Sequence, residues 1–216
     1  MSIVTIATSK GGAGKTTAAQ ILSGQIAARG HRVAAIDADY NHSLADWVQA
    51  FDLPITIHRE LDESRLIGLA EELEASHDLL VIDTAGAAMQ ATVFAIGCAD
   101  LVLVPCQLSS ADVVEAAKTR QLVESAAKMA RRDILVRAVL TDYQVGTHIG
   151  AHVERELQAC GLEALPTRLH RLVAFKEMTF NGVVPTKGPA GAQADGLIAD
   201  VAALGVLPFL SMKRAS

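Results

Sequence analysis

Short continuous apolar runs rich in β-branched residues recur along this chain, each separated from the next by a longer stretch of helical composition. The runs are Ile3–Ala7, Val33–Asp37, Ile55–His58, Leu79–Asp83, Leu101–Pro105 and Ile134–Thr141, with a weaker one at Leu165–Arg168. Most do not alternate polar with apolar, which is what strands covered by helices on both faces look like. Strand, helix and strand in succession predict parallel βαβ units. Thr16–Ala28, Ser43–Ala50, Asp62–Ala75, Ala88–Gly97, Ala111–Arg131, Ile149–Ala159 and Gln193–Ala203 read as the helices, and Asn181–Gly191, rich in Gly and Pro, as a loop.

The length of 216 residues suits a single α/β domain spanning 1–216. Half of the residues are hydrophobic but only 4% are aromatic, so the core is aliphatic and a stacking platform for single-stranded nucleic acid is disfavoured. Cys98, Cys106 and Cys160 are odd in number and widely spaced, which gives neither a disulfide framework nor a metal-ligand pair. With an N-terminal apolar run too short for a signal peptide, they point to a cytoplasmic protein. Charge is uneven: 6 basic residues face 15 acidic ones before residue 118, and 13 face 9 from Lys118 onward. The basic second half suits either a polyanion partner or ordinary solvated helix faces.

The first strand runs into Ser9-Lys10-Gly11-Gly12-Ala13-Gly14-Lys15-Thr16-Thr17 and then a helix. That is the setting of a phosphate-binding loop: glycines let backbone N–H groups converge on phosphate oxygens, and the helix N-terminus favours anions. Lys15 would add a point charge at the terminal phosphates, and the Thr16 hydroxyl would coordinate Mg²⁺. A nucleoside triphosphate fits this geometry. Ser9 stands where the strict GxxxxGK[ST] pattern has its first glycine.

With Lys10 before the glycines, the loop resembles the deviant Walker A loop of the ParA/MinD family of P-loop ATPases, closest in pattern to short partition ParA-type proteins. Two further segments fit. Asp37-Ala38-Asp39 closes the second strand where the family carries a DxD element, although Tyr40-Asn41 replaces its usual Pro-Gln. Leu79-Leu80-Val81-Ile82-Asp83 reads as a Walker B strand, followed by Thr84-Ala85-Gly86 rather than a proline-rich turn. The resemblance reaches from Met1 to about Ala203. It implies a P-loop NTPase fold with a mainly parallel twisted sheet flanked by helices on both faces, and ATP and Mg²⁺ as cofactors.

The resemblance also implies roles. Gly11, Gly12, Ala13, Gly14 and Thr17 cradle the nucleotide with Lys10, Lys15 and Thr16. Thr16, Asp37 and Asp83 serve the metal, and Asp39 orients the attacking water. Lys10 is the signature lysine that reaches into the partner subunit's nucleotide, so that ATP binding drives homodimerisation and slow hydrolysis, stimulated by an adaptor protein.

Similar positions in partition ATPases bind DNA nonspecifically, which directs attention to Arg168, Arg171 and Lys176; the two arginines would share a face if the segment is helical. DNA binding would make the protein nucleoid-associated. The alternative is a MinD-like or related ATPase that positions a protein complex or membrane machinery, including accessory types for T-DNA transfer or cellulose synthesis. A tail of Leu207 to Ser216 interrupted by Pro208 makes a poor membrane helix. A ligase resembling dethiobiotin synthetase is the reading from another class, and no second substrate site is visible for it.

Overall fold

A computed structural model describes residues 1–86, 90–146 and 148–211. Its six strands are β1 (Ser2–Ile6), β2 (Val33–Ala38), β3 (Ile55–Arg59), β4 (Leu79–Thr84), β5 (Leu101–Cys106) and β6 (Leu135–Leu140). They form one parallel sheet in the order β3-β2-β4-β1-β5-β6. The four inner strands are buried almost throughout, as continuous apolar runs require.

The helices are α1 (Lys15–Ala28), α2 (Ser43–Ala50), α3 (Glu63–Glu74), α4 (Gln90–Cys98), α5 (Ser110–Ala130), α6 (Ile149–Ala159), α7 (Val173–Asn181), α8 (Gly188–Ala203) and the short α9 (Pro208–Ser211). Helices α1, α2, α7 and α8 pack on one face, against Val4, Ile6, Val33, Val81 and Leu103. Helices α3 to α6 cover the other, against Ala34, Ile36, Val102, Val104 and Leu140. Successive strand residues thus feed opposite cores. Helix α1 is buried nearly all round, its polar Gln20, Ser23 and Gln25 included, because it lies between the sheet and α8. At Gly24 a Cβ would meet Val184 Cγ2 at 2.6 Å and the Trp47 ring at 3.0 Å, so only glycine lets these elements approach.

Three expectations need correction. Leu165–Arg168 is not a strand. Leu165 and Leu169 donate to the carbonyls of Ala138 and Leu140, but Pro166 has no N–H to offer and the Thr167 amide is spent on Asp200, so only isolated bridges form beside β6. The loop expected over Asn181–Gly191 is shorter, because α8 starts at Gly188 with Pro189 in its first turn, where proline is tolerated. The segment from Arg168 becomes helical only at Val173, so Arg168 and Arg171 precede α7 and share no helix face. The expected helix start at Ala88 and the tail from Met212 to Ser216 lie outside the described residues. No helix among the described residues is long and apolar enough to cross a membrane.

Candidate functional site

Because β4 pairs with both β1 and β2, the C-terminal ends of the three strands converge, with Ile6 opposite Asp83 and Asp37 opposite Asp83 in register. Ligands bind beyond this edge of an open parallel sheet. The loop after β1 bends through Gly12 (φ 72°) and Gly14 (φ 97°), backbone values that L side chains rarely adopt. Gly14 caps α1 without a side-chain bond, so the first amides of the helix face the loop. Open space lies where a Cβ at Gly11 or Gly12 would stand. This is the cradle a phosphate chain needs.

Lys15 is buried and its Nζ donates to the Lys10 carbonyl at 3.1 Å. Burial pulls its pKa below the ordinary lysine value, and the carboxylates of Asp83 and Asp39 pull back. Thr16 Oγ1 donates to Asp83 Oδ2 at 2.7 Å. The other Asp83 oxygen is buried without a partner. Burial pushes the Asp83 carboxyl up to about 7, with Asp37 adding to the rise and the Thr16 hydroxyl opposing it. A buried acid with an unmatched oxygen beside a threonine hydroxyl is chemically what a hard divalent cation completes. Among the described residues no cluster of three or more His, Cys, Asp or Glu side chains stands ready to hold a metal. Magnesium commonly takes one or two protein oxygens and fills its shell with phosphate oxygens and water, so the pair fits Mg²⁺.

Asp37 spends its oxygens on backbone amides, Oδ1 on Asp39 at 3.1 Å and Oδ2 on Ala45 at 2.9 Å, and so anchors the start of α2. Its burial raises its pKa. Asp39 is half-buried at the mouth of the site and accepts from the amide and side chain of Asn41 through one oxygen. Gly86 comes so close that a Cβ there would lie 3.2 Å from the Gly11 amide nitrogen and 3.3 Å from Lys15 Nζ. The segment after β4 therefore touches the loop directly.

Lys10 points elsewhere. Its Nζ pairs with Asp112 Oδ1 at 2.7 Å, and Ser9 bonds Glu115, both partners on α5. Asp112 also donates its amide to Ser109 Oγ at 3.2 Å, the N-cap bond of α5, while its carboxylate accepts from that hydroxyl.

Beside the loop is a hollow of about 230 Å³ lined by Gly14, Thr17, Thr141, Asp142, Phe175 and Lys176 among others. Thr141 Oγ1 donates to the Ala13 carbonyl at 2.7 Å, and Gln107 Nε2 to the Gly12 carbonyl at 3.1 Å. Arg171 also lines it and grips Asp142 through bonds of 2.5 and 2.8 Å. Of the three residues suggested for DNA, Arg171 and Lys176 thus sit beside this hollow. Arg168 does not: it pairs with Glu154 and lies over the Tyr143 ring at 5.4 Å. Gln107, Asp112 and Phe175 were not singled out from sequence. Gln107 follows the end of β5, and that position beyond a parallel strand was the available signal.

The VirC1 protein family matches residues 1–187. This chain belongs to the VirC1 family. It is also 32% identical over 182 residues to the protein ParA of Rhizobium radiobacter, 82% of each chain being covered. The maintenance of carboxysome distribution protein A of Halothiobacillus neapolitanus is 26% identical over 186 residues, covering 82% of this chain and 83% of that one. Among solved structures, an ATP complex of McdA from Cyanothece superposes with a TM-score of 0.78 at 18% identity, covering 95% of this chain and 96% of that one. VirC1 membership and these matches place the chain among the ParA/MinD-type P-loop ATPases, with the fold expected from its motifs.

Proposed function

We propose that this chain is a magnesium-dependent ATPase that dimerises on binding ATP and uses that change of assembly to partition or position a cargo, DNA foremost. The loop glycines and the first amides of α1 would bind the phosphates, Lys15 would hold the terminal ones, and Thr16 with Asp83 would hold Mg²⁺. The metal, when bound, would neutralise phosphate charge. Asp39, free on one oxygen, orients the attacking water.

The observation that carries the switch is Lys10. Lys15 already fills the phosphate position from within the chain, while Lys10 sits at the rim, its side chain 36% exposed and held by Asp112. A second lysine on the loop that serves no phosphate of its own subunit suits a partner's triphosphate across a two-fold axis. Light scattering with ATP, with ADP and without nucleotide tests this: a dimer is expected with ATP alone, and a monomer at high ATP concentration removes the reading.

For DNA, the working charge would come from Lys176, since Arg168 and Arg171 are already met by Glu154 and Asp142. Binding should depend on ATP and fall steeply with salt. That same neutralisation favours a second reading, positioning of a protein complex without DNA, in line with the name of the Halothiobacillus relative. A gel shift with nonspecific DNA at low salt separates the two. An adaptor that stimulates hydrolysis, and a cytoplasmic, nucleoid-associated location, belong to the DNA reading.

A further inference from the structure

A much larger hollow, about 800 Å³, lies on the opposite side of the sheet from α1 and reaches the N-terminal strand ends, where Met1, Ile3 and Asp100 line it. Helix α4, packed between α3 and α5, lines it along its length. The lining follows helical spacing. From α3 come Ile67, Ala70, Glu71 and Glu74, which share one face at i, i+3, i+4 and i+7. From α4 come Val93, Phe94 and Gly97, and from α5 Ala126, Met129 and Ala130. Three large apolar side chains from three helices stay open to solvent here: Ile67 at 40%, Phe94 at 38% and Met129 at 68%. Exposed apolar side chains gathered in one trough mark an interaction site more than a folding need.

Charge says what fits. Glu71 and Glu74 are exposed along the α3 wall, and no side chain of the described residues forms an ion pair with them. The one cationic side chain of the lining, Arg132, is already matched by Asp100. An acidic wall repels nucleic acid and anionic lipid. A second copy placed by a two-fold axis would bring the same uncompensated acids to the interface from both sides. An amphipathic helix with apolar residues on one face and cations on the flank toward α3 meets both features at once, by the helix-in-groove mode.

We propose that this groove, which lies over α4 and is walled by α3 and α5, docks a basic amphipathic helix of a partner protein. The site lies away from the phosphate loop, so docking does not require nucleotide.

The test uses a fluorescent synthetic peptide of about 15 residues with leucines at i, i+3, i+4 and i+7 and lysines on the flanks, and a twin with glutamate for lysine. Fluorescence anisotropy should show the lysine peptide binding about ten-fold or more tightly than its twin, a difference typical of charge complementarity, with or without ATP. Gly97→Leu should abolish binding. A Cβ at Gly97 meets nothing within 4 Å and the residue is not at positive φ, so the variant fills the groove without disturbing the helix, which circular dichroism checks. Reversing both acids, Glu71→Lys with Glu74→Lys, should reverse the peptide preference. Absence of binding, equal binding of the twins, or undiminished binding by Gly97→Leu would overturn the proposal. So would a nucleotide-free dimer in sedimentation that Gly97→Leu dissolves, since the groove would then belong to a second copy.

Discussion

Lys10 and Asp112, 102 positions apart in the chain, form an ion pair of 2.7 Å in which the carboxylate is almost wholly buried and the ammonium one-third exposed. The pair ties the phosphate loop to the first turn of α5. For Lys10 to serve a partner's nucleotide it must leave Asp112, so the pair opposes dimerisation by whatever it contributes in the free subunit. Asp112→Asn keeps the shape of the side chain and removes the charge. It should lower the ATP concentration needed for dimerisation about two- to five-fold, the worth of a partly exposed pair of up to about 1 kcal/mol. Lys10→Ala should bind nucleotide as before, fail to dimerise, and lose turnover by about 10²-fold or more, the usual cost of one missing transition-state donor. Light scattering and phosphate release read both.

Asp39 is half-buried at the site mouth with one oxygen engaged by Asn41. Asp39→Ala should dimerise with ATP yet hydrolyse it about 10²- to 10⁴-fold more slowly, the range for a positioned acid–base group. Turnover like the parent's would assign the water to another residue.

Gly24 is the point where α1 meets Trp47 and Val184. Gly24→Ala gains up to about 1 kcal/mol of helix propensity, but overpacking costs about 1–3 kcal/mol. With the full propensity gain set against it, the net cost of up to about 2 kcal/mol should lower the melting temperature by up to about 8 °C by calorimetry, taking about 2–4 °C per kcal/mol for a chain of this size. An unchanged melting temperature would mean that Trp47 and Val184 can give way.

Acid should act through Asp78. The Arg32 side chain beside it, joined by the Arg32 amide, holds its carboxyl below the usual aspartate value. In that situation the unfolded chain binds more protons, so the contribution is present above the ordinary pKa of about 3.9 and is lost as the pH falls through the lower native one. Asp78→Asn should therefore melt below the parent at pH 7, and the gap should close as the pH is taken below about 3.9. A gap that persists in strong acid would show that the carboxylate charge contributes nothing.

Much of this architecture was legible because buried parallel strands write themselves as apolar runs. Val33–Ala38 and Leu79–Thr84 end where Asp37 and Asp83 break those runs, so strand and site were announced together. Helix α7 was less visible: Val173 and Phe180 stay exposed while Phe175 and Met178 are buried, which blurs its periodicity. The partners of Lys10 and Arg171 could not be read, since Asp112 and Asp142 reach them through the folded chain. Nor could the groove beside α4, which exists only once three separate helices lie side by side.

The hydroxyl of Thr141, holding the Ala13 carbonyl, welds the end of β6 to the phosphate loop. The wall of the hollow beside the loop and the cradle that would meet phosphates are therefore one mechanical body. A change of residue that reshaped that hollow would therefore also move the loop that grips the phosphates.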